Sequence, residues 1–346
     1  MTEQILLGFS GGADSTAAAL LLGEKGYRVT ALTLDFTGET ALLEKAEAQA
    51  KRLGIAHRIL DVRASFEKKV VAPFVAAYRL GETPNPCLIC DTQVKLRALA
   101  EAADSLGIEK IATGHYLRLI KGRTIRVFRS PAVRKDQSYY FYRMPQAILR
   151  RLVTPLASFQ DKAAVLDFLA DRGITFIQGD ESQGICFVAG DLGAFLKARL
   201  GFLPPGFFVD KTGRILGRHD GFYHFTLGQC RGIHLDRKYF VIGLEPQTNR
   251  VVLGEEADLY QGRIWLRSVS FLDGQTPKNA CQIGFRICRW GYDLKGRYVP
   301  MSADSGYIEA ETPVRAPAPG QAAVFYRGDE VLGGGIIALK GSEDEL

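Results

Sequence analysis

No stretch of this 346-residue chain approaches the ~18 consecutive apolar residues that a membrane span requires. The N-terminus runs straight into a β-prone segment without a charged leader or a cleavage site, so the chain reads as cytoplasmic. Cysteine is sparse. Six in this length do not make a disulfide scaffold, and in a reducing compartment the pair Cys87-x-x-Cys90 points to redox or metal chemistry. There is no internal repeat and no low-complexity tract beyond the acidic tail Glu343-Asp344-Glu345, which is expected to be disordered. Two phosphate-loop signatures are missing as well. The first Gly-rich loop lacks the Lys of G-x-x-x-x-G-K-S/T, which excludes the loop that holds a γ-phosphate for transfer, and it does not fit G-x-G-x-x-G.

What the loop does contain is Gly8-Phe9-Ser10-Gly11-Gly12-Ala13-Asp14-Ser15, between the apolar run Ile5-Leu6-Leu7 and the helix former Thr16 to Leu22. Strand, tight turn and helix N-terminus in this order make an anion cradle: Gly11 and Gly12 let the backbone approach closely, and the first-turn N–H groups point at one oxyanion. Ser10 and Ser15 add hydroxyl donors. S-G-G-x-D-S resembles the pyrophosphate loop of ATP pyrophosphatases, with Asp14 where a phosphate-bound Mg²⁺ needs an oxygen. A plain Gly-rich turn capped by Asp14 is the alternative.

Hydrophobic content of 47% and charged content of 24% are globular values, and the length calls for two or three domains. Strands at Val29 to Phe36, His57 to Val62 and Lys110 to His115 alternate with helices at Ala41 to Leu53, Ser65 to Leu80 and Thr92 to Ala103. That alternation predicts a doubly wound parallel sheet with its ligand at the carboxyl strand ends, where the Gly-rich loop, Asp35 and His115 fall. After about Gly201 short β-rich runs between turn clusters take over, including Phe222 to Leu227, Tyr239 to Leu244, Val251 to Leu253, Ile264 to Phe271, Ala280 to Arg289, Gly306 to Glu311 and Ala322 to Ile337. The expected domains are 1–197, α/β; 198–259, small and β-rich; and 260–346, a β-barrel.

The net charge of +6 is concentrated. From Lys110 to Lys162 there are 12 Lys or Arg against Asp136 and Asp161, interleaved with Tyr116, Phe128, Tyr139, Tyr140, Phe141 and Tyr142. Basic residues track phosphates and aromatic faces stack unpaired bases, so an RNA-facing segment is expected, a solvated basic surface being the bland alternative. In the loop Gly81 to Asp91, Cys90 stands at the expected start of the helix near Thr92, where the dipole favours a thiolate. Cys186 offers a third thiol after Asp180-Glu181-Ser182-Gln183-Gly184-Ile185; Cys281 and Cys288 read as inert.

Together, Ser10 to Ser15, Thr83-Pro84-Asn85-Pro86-Cys87-Leu88-Ile89-Cys90, Ala112-Thr113-Gly114-His115-Tyr116, Lys135-Asp136-Gln137-Ser138-Tyr139-Tyr140, Ser182 to Phe187, Thr226-Leu227-Gly228-Gln229, Pro313 to Tyr326 and Gly333 to Ile337 resemble the tRNA-specific 2-thiouridylases over nearly the whole chain. The resemblance implies an adenine nucleotide α-hydrolase-like (PP-loop) domain, a linking domain and a tRNA-contacting barrel. It also implies ATP-dependent adenylation of the wobble uridine C2 oxygen and its replacement by sulfur, with release of AMP and pyrophosphate. It assigns ATP contacts to Gly8, Ser10, Gly11, Gly12, Asp14, Ser15, Leu34, Gly114 and His115. The tRNA contacts fall on Lys135, Asp136, Gln137, Ser138, Gln229, Arg231 and Arg315, and the sulfur chemistry on Cys186 and Cys90.

The chain departs from the family where Asp is usual and Cys87 stands, where Met is usual and Leu34 stands, in a compressed segment after Phe36, and in Cys230 replacing a basic residue. If Cys87, Cys90 and Cys186 converge, three thiolates can hold a 4Fe-4S cluster with one iron open to an external sulfide. The alternatives are a persulfide relay from a persulfide-carrying protein through Cys186 and Cys90, or a Zn²⁺ site lacking an obvious fourth ligand. Two other functions share the adenylating loop or the fold: a ligase acting on a carboxylate or another RNA base, and a non-catalytic RNA binder or metal sensor.

Overall fold

A computed structural model of the chain describes residues 2–176, 184–201 and 204–339. Asp180 to Gln183 of the third cysteine motif and the acidic tail lie outside the described residues. The chain divides into two compact units: residues 1–70, 87–187 and 327–332, and residues 71–86, 188–326 and 333–346.

The first unit is built on a parallel sheet of β1 (Gln4–Gly8), β2 (Arg28–Asp35), β3 (Ala56–Asp61), β4 (Lys110–Ala112) and β7 (Leu152–Val153), in the order β3-β2-β1-β4-β7. Ile5, Leu6 and Leu7 of β1 are wholly buried because a central parallel strand is covered on both faces. Helix α1 (Ala13–Glu24) is Ala-rich for the same reason. One side of α1 packs with the sheet residues, while Ala13 and Ala17 face a second cluster with Tyr116, Leu156 and Val165 and Leu169 of α8 (Lys162–Ala170), so small side chains suit a helix enclosed twice.

Helix α2 (Thr40–Arg52) buries only Ala46 and Ala50, and Leu42 is exposed, so its apolar face is narrower than the sequence spacing suggests. β3 is an edge strand, with Ile59 48% exposed. After it come α3 (Arg63–Phe66) and a π-helical turn Glu67–Val71, then α4 (Ala72–Arg79), which is counted with the second unit. Next along the first unit, α5 (Pro86–Ile89), a π-helical turn Cys90–Lys95 and α6 (Leu96–Ser105) follow one another without a break. A small hairpin, β5 (Arg118–Ile120) with β6 (Arg126–Phe128), and helix α7 (Gln146–Arg151) complete the unit.

The second unit contains α9 (Leu192–Leu200) and a four-stranded sheet of β8 (Gly206–Val209), β9 (Ile215–His219), β10 (Phe240–Glu245) and β11 (Arg250–Gly254), in the order β10-β11-β8-β9. The expected strand Phe222 to Leu227 is instead a 3₁₀ turn, Phe222–His224. Phe222 and Tyr223 are both buried, which consecutive residues of a strand with one covered face cannot achieve.

A closed antiparallel barrel follows: β12 (Tyr260–Phe271), β13 (Cys281–Arg286), β14 (Leu294–Pro300), β15 (Gly306–Arg315), β16 (Ala322–Arg327) and β17 (Glu330–Ala338). Their order is β12-β15-β14-β13-β16-β17, and pairing of β12 with β17 closes the ring. In the same unit the motif Thr83 to Pro86 is docked on the motif Pro317 to Gln321: Thr83 N–H donates to Pro319 O at 2.7 Å, Gln321 Nε2 donates to Thr83 O at 2.7 Å, and Glu82 forms a bidentate pair with Arg267 at 2.8 and 2.9 Å. Among the described residues no helix is long and apolar enough to cross a membrane.

Candidate active site

In the first sheet β1 leads outward to β2 and β3, while β4 lies on the other side, so the topological switch point falls between β1 and β4. The Gly-rich loop leaves β1 there and Gly114-His115 leaves β4. Gly11 adopts φ +70°, and a Cβ on it would lie 2.7 Å from Ala46 Cα. Only glycine lets the loop fold against α2 at this point.

Gly12 caps α1 in an extended conformation, leaving the first-turn amides at the dipole's positive end. Ser15 Oγ donates to Gly12 O at 3.0 Å and accepts from Ser10 N–H at 3.3 Å, and Gly12 N–H donates to Ser10 Oγ at 3.4 Å, so both serines hold the loop's shape. A Cβ on Gly114 would come 3.1 Å from the Asp14 carbonyl carbon, so the β4 end touches the first turn of α1.

Asp14 is partly exposed, and its Oδ1 accepts from Tyr116 Oη at 2.5 Å and Lys162 Nζ at 2.7 Å. Neither partner was singled out for this role in the sequence, because both contacts span more than 100 residues. Both engage the same oxygen. Asp35 is buried and accepts from Gly38 N–H at 2.6 Å, serving the turn after β2, and Leu34 is half-buried beside it.

The cysteine loop differs from expectation. The helix starts at Pro86, not near Thr92, because proline suits a first helical position. Cys90 therefore lies inside a helical stretch and gains no N-terminal dipole. Burial pushes its thiol up to about 12, against the opposing field of Lys95. Within the π turn, Thr92 Oγ1 donates to Leu88 O at 2.8 Å and shares Ile89 O at 3.3 Å. Cys186 is exposed, although the protein around it still raises its pKa, again opposed by Lys95. Phe187 anchors that segment edge-on against Phe66, with ring centroids 5.6 Å apart.

Cys87 and Cys90 share one helical run with Lys95, whose charge opposes the raised pKa of Cys90 and of Cys186. The donor chemistry, three soft thiols around one cation, fits an iron–sulfur cluster. Among the described residues, however, no group of three His, Cys, Asp or Glu stands ready to hold a metal ion. Cluster ligation therefore requires the three thiols to draw together.

Two residues here were not picked out from the sequence, Asp91 and Lys95. Asp91 is 2% exposed; its Oδ1 pairs with Lys95 Nζ at 2.5 Å and faces His115 Nε2 at 3.4 Å. Burial alone would raise its pKa, but Lys95 and His115 hold it below the usual carboxylate range. His115 is buried, with Nδ1 2.9 Å from Thr113 Oγ1 and its ring edge-on to Phe141. The tautomer that satisfies both contacts carries its proton on Nε2, toward Asp91. The i, i+4 spacing of Asp91 and Lys95 was the available signal.

The remaining expected residues are dispersed. Asp136 is buried, accepting from Ser130 N–H at 2.9 Å and Ser138 Oγ at 2.9 Å; Ser138 is wholly buried, and Gln137 Oε1 accepts from Tyr116 N–H at 3.0 Å. These side chains shape the loop beside Tyr116, and Lys135 is half-buried among them. Tyr116, Tyr139, Tyr140, Phe141 and Tyr142 are all buried, so this part of the basic segment presents no stacking faces. Gln229, Arg231 and Arg315 belong to the second unit: Gln229 Nε2 donates to Arg231 O at 2.9 Å, and Arg315 is exposed, with Glu256 at 3.5 Å. A cavity of about 790 Å³ lined by Asp61, Arg63, Lys69, Gln93, Arg97 and others contains none of the expected site residues.

Three family profiles match in order: "tRNA methyl transferase HUP domain" over residues 3–190, "tRNA methyl transferase PRC-barrel domain" over 193–255 and "Aminomethyltransferase beta-barrel domain" over 261–337. Curated relatives carry a different name. A protein of Dehalococcoides mccartyi named tRNA-specific 2-thiouridylase MnmA is 35% identical over 97% of this chain and 97% of its own. Relatives of the same name from Syntrophomonas wolfei (36%, covering 95% and 98%) and Desulforudis audaxviator (39%, covering 96% and 98%) agree. The chain belongs to the tRNA-specific 2-thiouridylase family. This 2-thiouridylase family member carries a nucleotide-binding parallel sheet, a PRC-barrel-like middle domain and a closed six-stranded C-terminal barrel.

Proposed function

We propose that the chain is an ATP-dependent tRNA-uridine 2-sulfurtransferase whose sulfur step runs through Cys87, Cys90 and Cys186. ATP is the activating substrate: the uridine C2 oxygen attacks its α-phosphorus, pyrophosphate leaves, and AMP later departs with that oxygen as a C–S bond forms at C2. Ser10, Gly11, Gly12, Ser15 and the first-turn amides of α1 hold the phosphates. Asp14 would hold Mg²⁺ on them, with Lys162 as a neighbouring cation. Leu34, Gly8, Gly114 and His115 border the nucleotide. The tRNA is met by surfaces that include Lys135, Gln229, Arg231 and Arg315, with Asp136, Gln137 and Ser138 shaping the first of them. In this reading residues 1–197 are catalytic, 198–259 link, and 260–346 contact tRNA.

The observation that carries the sulfur assignment is the placement of Cys87, Cys90 and Lys95 on one helical run, with Cys186 and the phosphate cradle in the same unit. Cys87, Cys90 and Cys186 would hold a 4Fe-4S cluster, which when bound supplies an open iron site for an external sulfide. Lys95 offsets negative charge at these sulfurs. A second reading, a persulfide on Cys186 received from a donor protein and resolved by Cys90, is favoured by the exposure of Cys186.

Iron and acid-labile sulfide counted in anaerobic protein, wild type and Cys87→Ala, decide between them. About four irons per chain, lost on the substitution, support the cluster. Iron-free protein that still thiolates tRNA overturns it.

A further inference from the structure

Two halves of the proposed chemistry, nucleotide activation and sulfur delivery, meet at one buried carboxylate. Asp91 sits directly after Cys90, on the π turn Cys90–Lys95. On one side it grips Lys95 Nζ at 2.5 Å, and on the other it faces His115 Nε2 at 3.4 Å. Lys95 has 35% of its side chain exposed and closes the π turn that Cys90 opens, on the same helical run as Cys87, and its charge opposes the raised pKa of Cys90 and of Cys186. His115 follows Gly114, whose backbone lies against the carbonyl of Asp14 and the amide of Ser15 in the phosphate loop. Thr113 and Phe141 fix the ring from its other sides.

A carboxylate 97% out of solvent needs counter-charge, so desolvation holds Asp91, Lys95 and His115 together more firmly than an exposed ion pair would. The surrounding helix is adapted to this arrangement. π turns are uncommon and recur at functional sites, and this one carries Cys90 and Lys95 at its two ends.

We propose that Asp91 is a positioning residue that ties the sulfur site to the nucleotide site, aiming the Lys95 ammonium at the cysteines and, through His115, fixing the strand end that packs on the phosphate loop. The inference rests on the sulfur-site reading above, and it assigns each arm a separate consequence. Loss of Lys95 affects sulfur delivery. Loss of His115 affects nucleotide activation. Loss of Asp91 affects both.

The test measures the two steps separately, under single turnover with enzyme in excess over tRNA: pyrophosphate released, and 2-thiouridine formed. Lys95→Met is expected to slow 2-thiouridine formation on the order of 100-fold while pyrophosphate release falls less than about threefold, and Lys95→Arg restores most of the lost rate. His115→Gln is expected to slow pyrophosphate release and to leave the yield of 2-thiouridine per pyrophosphate at the wild-type value. Asp91→Asn, which keeps the shape and removes the charge, is expected to show both defects.

Lys95→Met that retains the sulfur step, or that loses both steps equally without rescue by Lys95→Arg, overturns the proposal. So does Asp91→Asn with only one defect. If Asp91→Asn does not fold, the Lys95 and His115 variants decide alone by the same criteria. Cys90→Ser and Cys186→Ser run alongside: if both still form 2-thiouridine, the sulfur-site reading itself has failed, which is a different result from an unsplit Lys95→Met.

Discussion

Gly11→Ala tests the geometry of the phosphate loop most directly, because its two costs can be separated within the same protein. The backbone at Gly11 has φ +70°, and an added Cβ would meet Ala46 Cα at 2.7 Å, Ala46 N at 3.0 Å and Lys45 O at 3.0 Å, all of them main-chain atoms that no rotamer change can move. Gly26 has φ +83° with nothing within 4 Å of a Cβ, so Gly26→Ala reports the conformational cost alone, about 1–2 kcal/mol. Gly12 lacks a positive φ and a Cβ there meets only Ser10 Oγ at 3.4 Å, so Gly12→Ala should cost only the roughly 1 kcal/mol of placing alanine at a helix N-cap.

Overpacking against α2 adds about 1–3 kcal/mol, bringing Gly11→Ala to about 2–5 kcal/mol. At roughly 2–4 °C per kcal/mol for a folding unit of this size, the melting temperature drops by roughly 4–20 °C for Gly11→Ala and roughly 2–8 °C for Gly26→Ala. Differential scanning calorimetry reads the shift, and pyrophosphate release against ATP concentration reads the loop. The KM for ATP should rise for Gly11→Ala and stay at the wild-type value for Gly26→Ala. A Gly11→Ala protein that melts no lower than Gly26→Ala would refute the account of the loop pressed on α2.

Other consequences are checked as simply. In metal-free protein at pH 8, Cys90 should react with iodoacetamide roughly a thousandfold more slowly than a free cysteine peptide, since a thiol pushed up to about 12 stays neutral there; alkylation at the peptide's rate would contradict its burial. Lys162→Met should change stability by less than about 1 kcal/mol, the pair with Asp14 being partly exposed, yet raise the KM for ATP severalfold; an unchanged KM counts against Lys162 as a phosphate-side cation. His219 is buried, and desolvation lowers its pKa, opposed only in part by the Phe207 backbone. The folded state therefore favours the neutral ring: its contribution is complete above the ordinary value near 6.5 and is lost as pH falls toward and through the lowered folded value. Urea midpoints between pH 7 and pH 5 should fall for wild type and fall less for His219→Gln.

The parallel sheet and its loop were legible because their signals are local: apolar runs, a glycine pair and a serine on a helix start. Ser10 to Ser15 could be read as a cradle from chemistry alone, and β2 and α2 fall within one residue of their expected bounds at most ends. What escaped was non-local or cooperative. The start of α5 depends on Pro86 acting as a first helical residue where two prolines suggested an extended path, and that shift alone moved Cys90 from a helix tip to a helix interior. Tyr139 and Tyr140 read equally as core or as stacking platforms from the sequence, and the packing of the 3₁₀ turn Ser138–Phe141 decides for core, with Phe141 and Tyr142 buried beside them. Lys162 reaches Asp14 across 148 residues, a distance over which periodicity carries no information.

The π turn at Cys90–Lys95 also bears on which changes of chain length this region tolerates. A π turn holds one residue more than the α-helical turn it replaces, and each residue of an α-helix turns the chain by about 100°. Deleting one residue between Cys90 and Lys95 would therefore restore an ordinary α-helical turn and leave the two flanking halves close to their present relation. Cys87 and Cys90 on one side and Lys95 on the other would keep their faces as long as the residue lost is not Asp91. Across related sequences, a gap of a single position should therefore be accepted here more readily than in the uninterrupted helix α6.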